Sequence, residues 1–399
     1  MDRLTLPDAP WRRREGLAEL AAVLSANGGG ARYVGGAVRD TLLGLPVSDV
    51  DIATPLDPEA VMARLKTAGV RAVPTGIAHG TVTAILPDGP IEVTTLRHDV
   101  ETDGRRAKVA FTADWRADAA RRDFTMNALY ADPASGEIFD YFAGLEDLRQ
   151  GRVRFIGDPL QRIAEDHLRI LRFFRFHARF GDAPDAAGLD ACTARANDLM
   201  ALSRERIAAE LLKLLVARGA VETVALMVDR GILKPVLPEV ADVDRLARVA
   251  AAEAAAGLSP APIRRLAALL SDDPALGEAV GARLKLSNAD RKRLASALSA
   301  ELAEPQPLAY RLGTDGALDR WLLHAPDPAE GARLIAGWPV PRFPLTGGAI
   351  VARGIAKGPE VARLLRAVEA QWMAEGFPDA NRVDAIADQI VGSALRSTR

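Results

Sequence analysis

The chain has 399 residues, 49% of them apolar and 26% charged, with a formal net charge of −2. That length holds two or more domains with cores of their own, and the near-neutral balance excludes a globally basic nucleic-acid binder, so any basic surface must be local. A single cysteine, Cys192, excludes an intrachain disulfide, and with only five histidines to activate it, it reads as a buried apolar residue rather than a catalytic thiol.

The stretch 1–17 lacks an apolar signal core, and no apolar run is long enough to span a bilayer, which predicts a soluble, cytoplasmic protein with no membrane partner. Residues 31–34 (ARYV) read as a strand ending at Gly35 and Gly36, and residues 47–53 (VSDVDIA) alternate as a second strand. Asp57 followed by Pro58 predicts a helix start, with Val61 and Leu65 on one face. Residues 80–86 (GTVTAIL) and 91–96 (IEVTTL) read as two more strands joined by a Pro-Asp-Gly-Pro turn. Residues 97–111, polar and glycine-containing, read as a mobile loop. From about Arg121 helical patterns take over. Residues 203–219 show a serine cap, apolar positions at three-to-four spacing and a terminal glycine, and 220–231 repeat that style. No strand-like alternation persists past residue 160. The expected fold is an N-terminal α/β unit, a mixed sheet with helices, followed by an all-helical remainder.

Chemistry concentrates in residues 33–54 (YVGGAVRDTLLGLPVSDVDIAT). Residues i and i+2 of a strand share a face, so Asp49 and Asp51 are expected side by side. Two carboxylates that close repel unless a cation sits between them, and hard oxygen ligands suit Mg²⁺. Upstream, Gly35 and Gly36 open a helix whose free N–H groups can hold phosphate, with Arg39 one turn in. Metal carboxylates, a phosphate cradle and an arginine together describe in-line transfer at phosphorus. A lone D-x-D is more often a turn signal or a solvated edge. An EF-hand loop would need a further oxygen ligand and a glycine where Ala53 and Thr54 stand. An aspartyl phosphatase would need an apolar strand where GLPVS stands. It is the joint spacing of Gly35, Gly36, Arg39, Asp49 and Asp51 that is specific.

Two later segments carry further polar patterns. In residues 121–130 (RRDFTMNALY), Asp123 and Asn127 share a face if helical and could bond a ribose hydroxyl, while Arg122 could pair with phosphate oxygens. Asp123 reads equally well as a helix cap beside core residues Phe124 and Leu129. In residues 165–180, Asp166, Arg169, Arg172 and Arg175 recur every three residues and stay near one helical stripe. Arginines 149, 152, 154, 162, 169, 172, 175 and 179 outnumber the local acids, which suggests an anionic partner. Glu92, in the strand after the turn, is as readily a solvent-facing residue as a third carboxylate and is left outside the expected site.

Residues 33–54 resemble the signature of the class II nucleotidyltransferases of the polymerase β superfamily, the tRNA CCA-adding enzymes and bacterial poly(A) polymerases. Three blocks follow in the family's order. Residues 121–130 resemble the block that holds ribose and triphosphate, 164–176 (AEDHLRILRFFRF) the nucleotide-selecting helix, and 203–215 (SRERIAAELLKLL) the block that stabilises it. The resemblance covers roughly residues 30–240, and loosely the remainder. It implies a catalytic head at 1–150, a nucleotide-selecting neck at 151–218, a helical body at 219–300 and a tRNA-binding tail at 301–399. It implies Asp49 and Asp51 as catalytic metal ligands for Mg²⁺, and Gly36, Arg39, Arg122, Asp166, Arg169, Arg172 and Arg175 as nucleotide-binding residues. The implied substrates are CTP, ATP and the tRNA 3′ end, gripped at acceptor stem and elbow with no obligatory protein partner.

Within the family, residues 75–83 (TGIAHGTVT) look like the CCA-adding version of that segment, where poly(A) polymerases carry a basic run. The full-length segment 97–111 corresponds to the loop that the family needs for switching from C to A, which enzymes adding only C shorten. The expected activity is therefore template-independent addition of C, C and A, with poly(A) addition or CC-only addition as alternatives. Cytosine and adenine both present an exocyclic amine beside a ring acceptor, whereas uracil and guanine reverse the order. Asp166 as acceptor and Arg169 as donor, at i and i+3 of one helix, would match the first pair and mismatch the second.

Overall fold

In the computed structural model the described residues are 4–102, 107–240 and 242–397. The strands among them are β1 (Arg32–Val34), β2 (Asp51–Thr54), β3 (Arg71–Gly76), β4 (Thr81–Leu86), β5 (Gly89–Thr95), β6 (Arg97–Thr102), β7 (Ala107–Phe111), β8 (Leu129–Ala131) and β9 (Ile138–Asp140). Seven of them form one mixed sheet in the order β3-β4-β5-β2-β1-β8-β9. The β2–β5 pair is parallel and its neighbours antiparallel. The parallel pair demands a crossover. It runs through α3 (Pro58–Thr67), which starts where expected: Asp57 Oδ1 accepts from the Ala60 N–H at 2.7 Å, and Val61 and Leu65 are buried.

On the sheet's apolar face lie α1 (Leu17–Ser25) and α3, with Leu17, Leu20, Leu24, Val61 and Leu65 packing on Ile52, Val82, Ile91 and Val93. α2 (Gly36–Leu42) leaves β1 directly. Two expectations need correction here. Residues 47–50 are not strand: β2 begins only at Asp51, because Val50 is the first residue of that run to be buried and Val34 pairs with Asp51 at the end of the ladder. Residues 97–111, expected as a mobile loop, form a separate antiparallel hairpin, β6 on β7, with 103–106 outside the described residues. Hairpin pairing satisfies the backbone of a largely polar segment, which composition alone does not reveal.

α4 (Trp115–Ala120) precedes β8, and only from α5 (Gly144–Arg149) onward is the chain helical. The helical take-over expected from about Arg121 starts later, because Leu129–Ala131 and Ile138–Asp140 add the last two strands to the sheet. α6 (Pro159–Glu165), α7 (Arg169–Phe180), α8 (Ala186–Ala194), α9 (Arg204–Leu215) and α10 (Ala220–Asp229) follow the sheet. Then come α11 (Asp244–Ala256), α12 (Pro262–Ala267), α13 (Pro274–Arg283), α14 (Asn288–Ala297), α15 (Pro305–His324) and α16 (Pro328–Gly337). The last three are α17 (Gly347–Ala352), α18 (Pro359–Ala374) and α19 (Ala380–Ser397). Ser203 stands at the N-cap of α9 but its side chain makes no capping bond. One apolar core runs from Leu6 to Leu323, and a separate cluster between Leu345 and Val391 joins α17, α18 and α19. Among the described residues no helix is long and apolar enough to cross a membrane. Cys192 lies buried in the larger core.

The sheet meets α7 through an aromatic cluster. Phe124 packs on Phe155 at 5.0 Å and on Phe176 at 5.2 Å, and Phe155 stacks on Phe173 at 5.6 Å. Such pairs contribute about 0.5–1.5 kcal/mol each beyond area burial. They fix α7 against the head, with Arg172 and Arg175 lying over the Phe176 ring at 5.3 and 4.4 Å.

Candidate active site

A cleft of roughly 600 Å³ opens between α2, the start of β2, the segment 121–127 and α7. Gly36, Arg39, Asp49, Asp51, Arg122, Asp166, Arg169, Arg172 and Arg175, the residues singled out from the sequence, all line it. Its walls carry seven arginines against five aspartates, a local excess of positive charge in a chain of net charge −2.

The head side is built from backbone geometry. Gly35 has φ 69°, a left-handed conformation that favours glycine. An added Cβ there would stand 3.5 Å from Arg122 Nη1. Gly36 then opens α2 beside the cleft with no side chain capping it, so the first-turn N–H groups have no intrahelical or capping partner. Asp51, the first residue of β2, is aligned with Glu92 on the parallel strand β5. Burial pushes the Asp51 carboxyl up to about 6; Glu92 and Asp49 add repulsion, and Arg122 pulls the other way. Asp49 lies in the non-strand segment ahead of β2 and is exposed, so the two aspartates share the cleft rather than one strand face. Ser48 Oγ donates to Asp49 Oδ2 at 2.8 Å, and Arg14 Nη2 donates to the Ser48 carbonyl at 3.1 Å, tethering the segment.

These donors fit a hard divalent cation. Among the described residues no group of three or more histidine, cysteine, aspartate or glutamate side chains forms a ready-made metal centre. Mg²⁺ does not ask for one: it usually binds through one or two carboxylates plus substrate phosphates and retained water. A carboxyl raised by crowding and burial is one that a cation would relieve.

The arginines are positioned by acids. Asp118, buried in α4, accepts from Arg121 Nε at 2.9 Å, Arg122 Nη2 at 3.2 Å and Tyr130 Oη at 2.7 Å, which aims Arg122 across Gly35. Arg39 is buried and donates to Asp40 Oδ1 at 2.7 Å and to Asn127 Oδ1 at 2.5 Å. Asp123 receives Arg172 through Nε at 2.8 Å and Nη2 at 2.5 Å, and Asn127 Nδ2 at 2.9 Å. Burial opposes ionisation of Asp123, yet Arg172 and these hydrogen bonds hold its carboxyl at about 2. Asp123 is not on a helix with Asn127, since α4 stops at Ala120 and only a short 3₁₀ turn spans Thr125–Asn127. Neither the cap reading nor the shared-face reading anticipates its pairing with Arg172.

Asp166 and Arg169 also differ from expectation. α6 stops at Glu165, and Asp166 sits in the break with extended backbone. The two residues therefore do not share a helix face. Both Asp166 oxygens receive Arg206 Nη2, at 3.1 and 3.0 Å, and Oδ1 also takes the Leu168 N–H at 3.1 Å. Arg169 donates to Glu165 Oε2 at 2.6 Å and to the carbonyls of Arg162 and Arg121 at 2.8 and 3.2 Å. Arg175 Nε donates to Glu210 Oε2 at 2.5 Å. Arg149, Arg152 and Arg154 pair with Glu146 or Asp147 and do not line the cleft. Asp40, Arg121, Phe176 and Arg179 do line it and were not expected. Arg179 was legible as part of the arginine repeat. Asp118 had only its three- and four-residue spacing to Arg121 and Arg122 as a signal.

The family description "Poly A polymerase head domain" matches residues 31–154, and "Probable RNA and SrmB- binding site of polymerase A" matches 185–243. The chain is 37% identical over 394 residues to CCA tRNA nucleotidyltransferase 1, mitochondrial, of Mus musculus, covering 94% of this chain and 90% of that protein. Among solved structures it resembles the Bacillus stearothermophilus CCA-adding enzyme in complex with CTP, with TM-score 0.76, 28% identity and coverage of 95% of this chain and 98% of that one. The Thermotoga maritima CCA-adding enzyme complexed with tRNA shares the fold, with TM-score 0.68, 19% identity and 94% coverage of each chain.

Proposed function

The chain belongs to the tRNA nucleotidyltransferase and poly(A) polymerase family, and from that premise we propose that it adds C, C and A to the 3′ end of tRNA from CTP and ATP, releasing pyrophosphate. The observation that carries the reading is the convergence of Gly36, Arg39, Asp49, Asp51, Arg122, Asp166, Arg169, Arg172 and Arg175 on one cleft. The likeness to CCA-adding enzymes across nearly the whole chain supports tRNA as acceptor.

In this reading Asp49 and Asp51 hold Mg²⁺. When bound there, the ion supplies Lewis acidity that lowers the pKa of the attacking 3′-hydroxyl and offsets charge on the departing pyrophosphate. The open N–H groups of the Gly36 turn donate to phosphate oxygens. Arg122, fixed by Asp118 and Tyr130, faces the same oxygens, and its fork suits bidentate contact. Arg39, braced by Asp40 and Asn127, keeps the floor of the cleft positive. Asp166 and Arg169 read the base. Because Arg206 and Glu165 hold them, base binding exchanges these protein partners for the amine and ring nitrogen of cytosine or adenine. Such exchange favours bases that replace both contacts and penalises those that leave the two groups unpaired beneath the bound base.

The division into head 1–150, neck 151–218, body 219–300 and tail 301–399, with the tail on tRNA, is part of the same proposal. So is a cytoplasmic location; the mouse relative is named as mitochondrial. The test offers two acceptors with CTP and ATP together: a tRNA lacking its terminal CCA and an unstructured RNA of equal length. The tRNA should gain three nucleotides and the unstructured RNA very few. Long ladders on the unstructured RNA with ATP alone would favour the poly(A) alternative.

A further inference from the structure

A second cavity, of roughly 410 Å³, adjoins the nucleotide cleft and shares two of its residues. Its lining is Arg175, Arg179, Lys213, Val216, Ala217 and Arg218. Four cations and no acid line it, in a chain with 51 basic and 53 acidic residues. The acids nearest to these cations stand outside the lining. Glu210 holds Arg175, Asp40 holds Arg179 at 3.2 Å, and Asp182 approaches the exposed Arg218 at 3.8 Å. Lys213 is exposed and has no anionic partner among the described residues.

Cations at a helix C-terminus complement the helix dipole, worth about 0.3–1 kcal/mol each. That accounts for one or two basic residues at the end of α9. It does not account for the middle and end of α7, the end of α9 and the segment just after it bringing four cations to one hollow that Val216 and Ala217 also line. Glu210 and Asp40 offset Arg175 and Arg179 from outside the hollow, which leaves Lys213 and Arg218 as the charges that an anion there would complete. Arg175 and Arg179 border both cavities, so an anion here is continuous with whatever polyanion fills the cleft.

We propose that this second cavity is a phosphate site. It rests on the reading of the cleft as a nucleotidyltransferase site. Two sources supply the same chemistry: a backbone phosphate of the acceptor RNA close to its growing end, or the pyrophosphate part of the nucleotide.

The experiment compares the full chain with its Lys213→Glu/Arg218→Glu variant, both side chains being exposed and outside the nucleotide cleft. Initial rates are measured against acceptor tRNA, against CTP, and against added inorganic pyrophosphate as inhibitor, between about 50 and 200 mM salt. If RNA is the source, the KM for tRNA rises on the order of tenfold, and the salt dependence of binding weakens by about 0.7 for each single-strand phosphate that is no longer neutralised. The KM for CTP then stays put. If pyrophosphate is the source, its inhibition constant and the KM for CTP rise while the KM for tRNA does not. Either result supports a phosphate site. An unfolded double variant would be replaced by Lys213→Gln, read by the same constants. Values for all three constants indistinguishable from those of an active wild type would overturn it, whereas a wild type that extends no tRNA would instead overturn the underlying reading.

Discussion

Replacing Asp123 with asparagine should unfasten the head segment from α7. The wild-type carboxylate takes two Arg172 donors on Oδ2, and the Phe124 N–H and Asn127 Nδ2 on Oδ1. Asparagine keeps the shape and one acceptor but loses the charge. A carboxyl held at about 2 instead of its ordinary 3.8 favours the folded, ionised form by about 2 kcal/mol at neutral pH. Arg172 is not stranded by the change, since Glu210 lies 4.0 Å away and the guanidinium is partly solvated, so the loss should not reach the roughly 3–5 kcal/mol typical of an orphaned buried charge. The folded value lies below the unfolded one. The contribution is therefore fully present above about pH 4 and disappears as pH falls through about 2. Urea unfolding of wild type and Asp123→Asn, followed by tryptophan fluorescence, should show a gap of about 2 kcal/mol at neutral pH, narrowing to about half near pH 3. A variant as stable as wild type at neutral pH, or a gap that does not narrow between about pH 5 and 3, would refute the pairing as the cause.

Asp49→Asn and Asp51→Asn should each lower nucleotide addition in Mg²⁺ by several orders of magnitude, with circular dichroism unchanged; near-normal activity in either would remove it from the metal site. Asp166→Ala should let UTP compete better with CTP, narrowing a discrimination of about 10²–10⁴ in kcat/KM. An unchanged ratio in a folded variant would place base reading elsewhere. Deleting residues 99–108 should spare both C additions and impair the final A, and equal loss of both steps would argue against a role of the hairpin in switching.

The cleft was legible where chemistry is written in local spacing. Gly35, Gly36, Arg39 and the D-x-D pair stand in one short segment, and the arginines of α7 recur at helical intervals, so a linear pattern was enough to bring them together. What stayed hidden depends on tertiary pairing. Asp49 falls outside β2 because the ladder with β1 starts only at Asp51. Asp166 leaves the helix because the chain breaks between α6 and α7, where Arg206 from a distant helix takes its carboxylate. Asp123 and Glu210 are single acids whose meaning comes from Arg172 and Arg175 across the interface. Segment 97–111 is polar and glycine-containing overall, and the short alternation Ala107, Val109, Phe111 was outweighed by that composition, yet the segment pairs as a hairpin.

The measurement that bears most directly on the central claim is extension at one-nucleotide resolution on three tRNAs, ending before the CCA, after its first C and after its second C. Each is offered CTP alone, ATP alone and both. The proposed activity requires CTP alone to extend the first two acceptors only as far as CC, ATP alone to extend only the third, and the mixture to stop every product at CCA. ATP-only ladders on any of them, or C addition running past the second position, would contradict the assignment of this cleft to CCA synthesis.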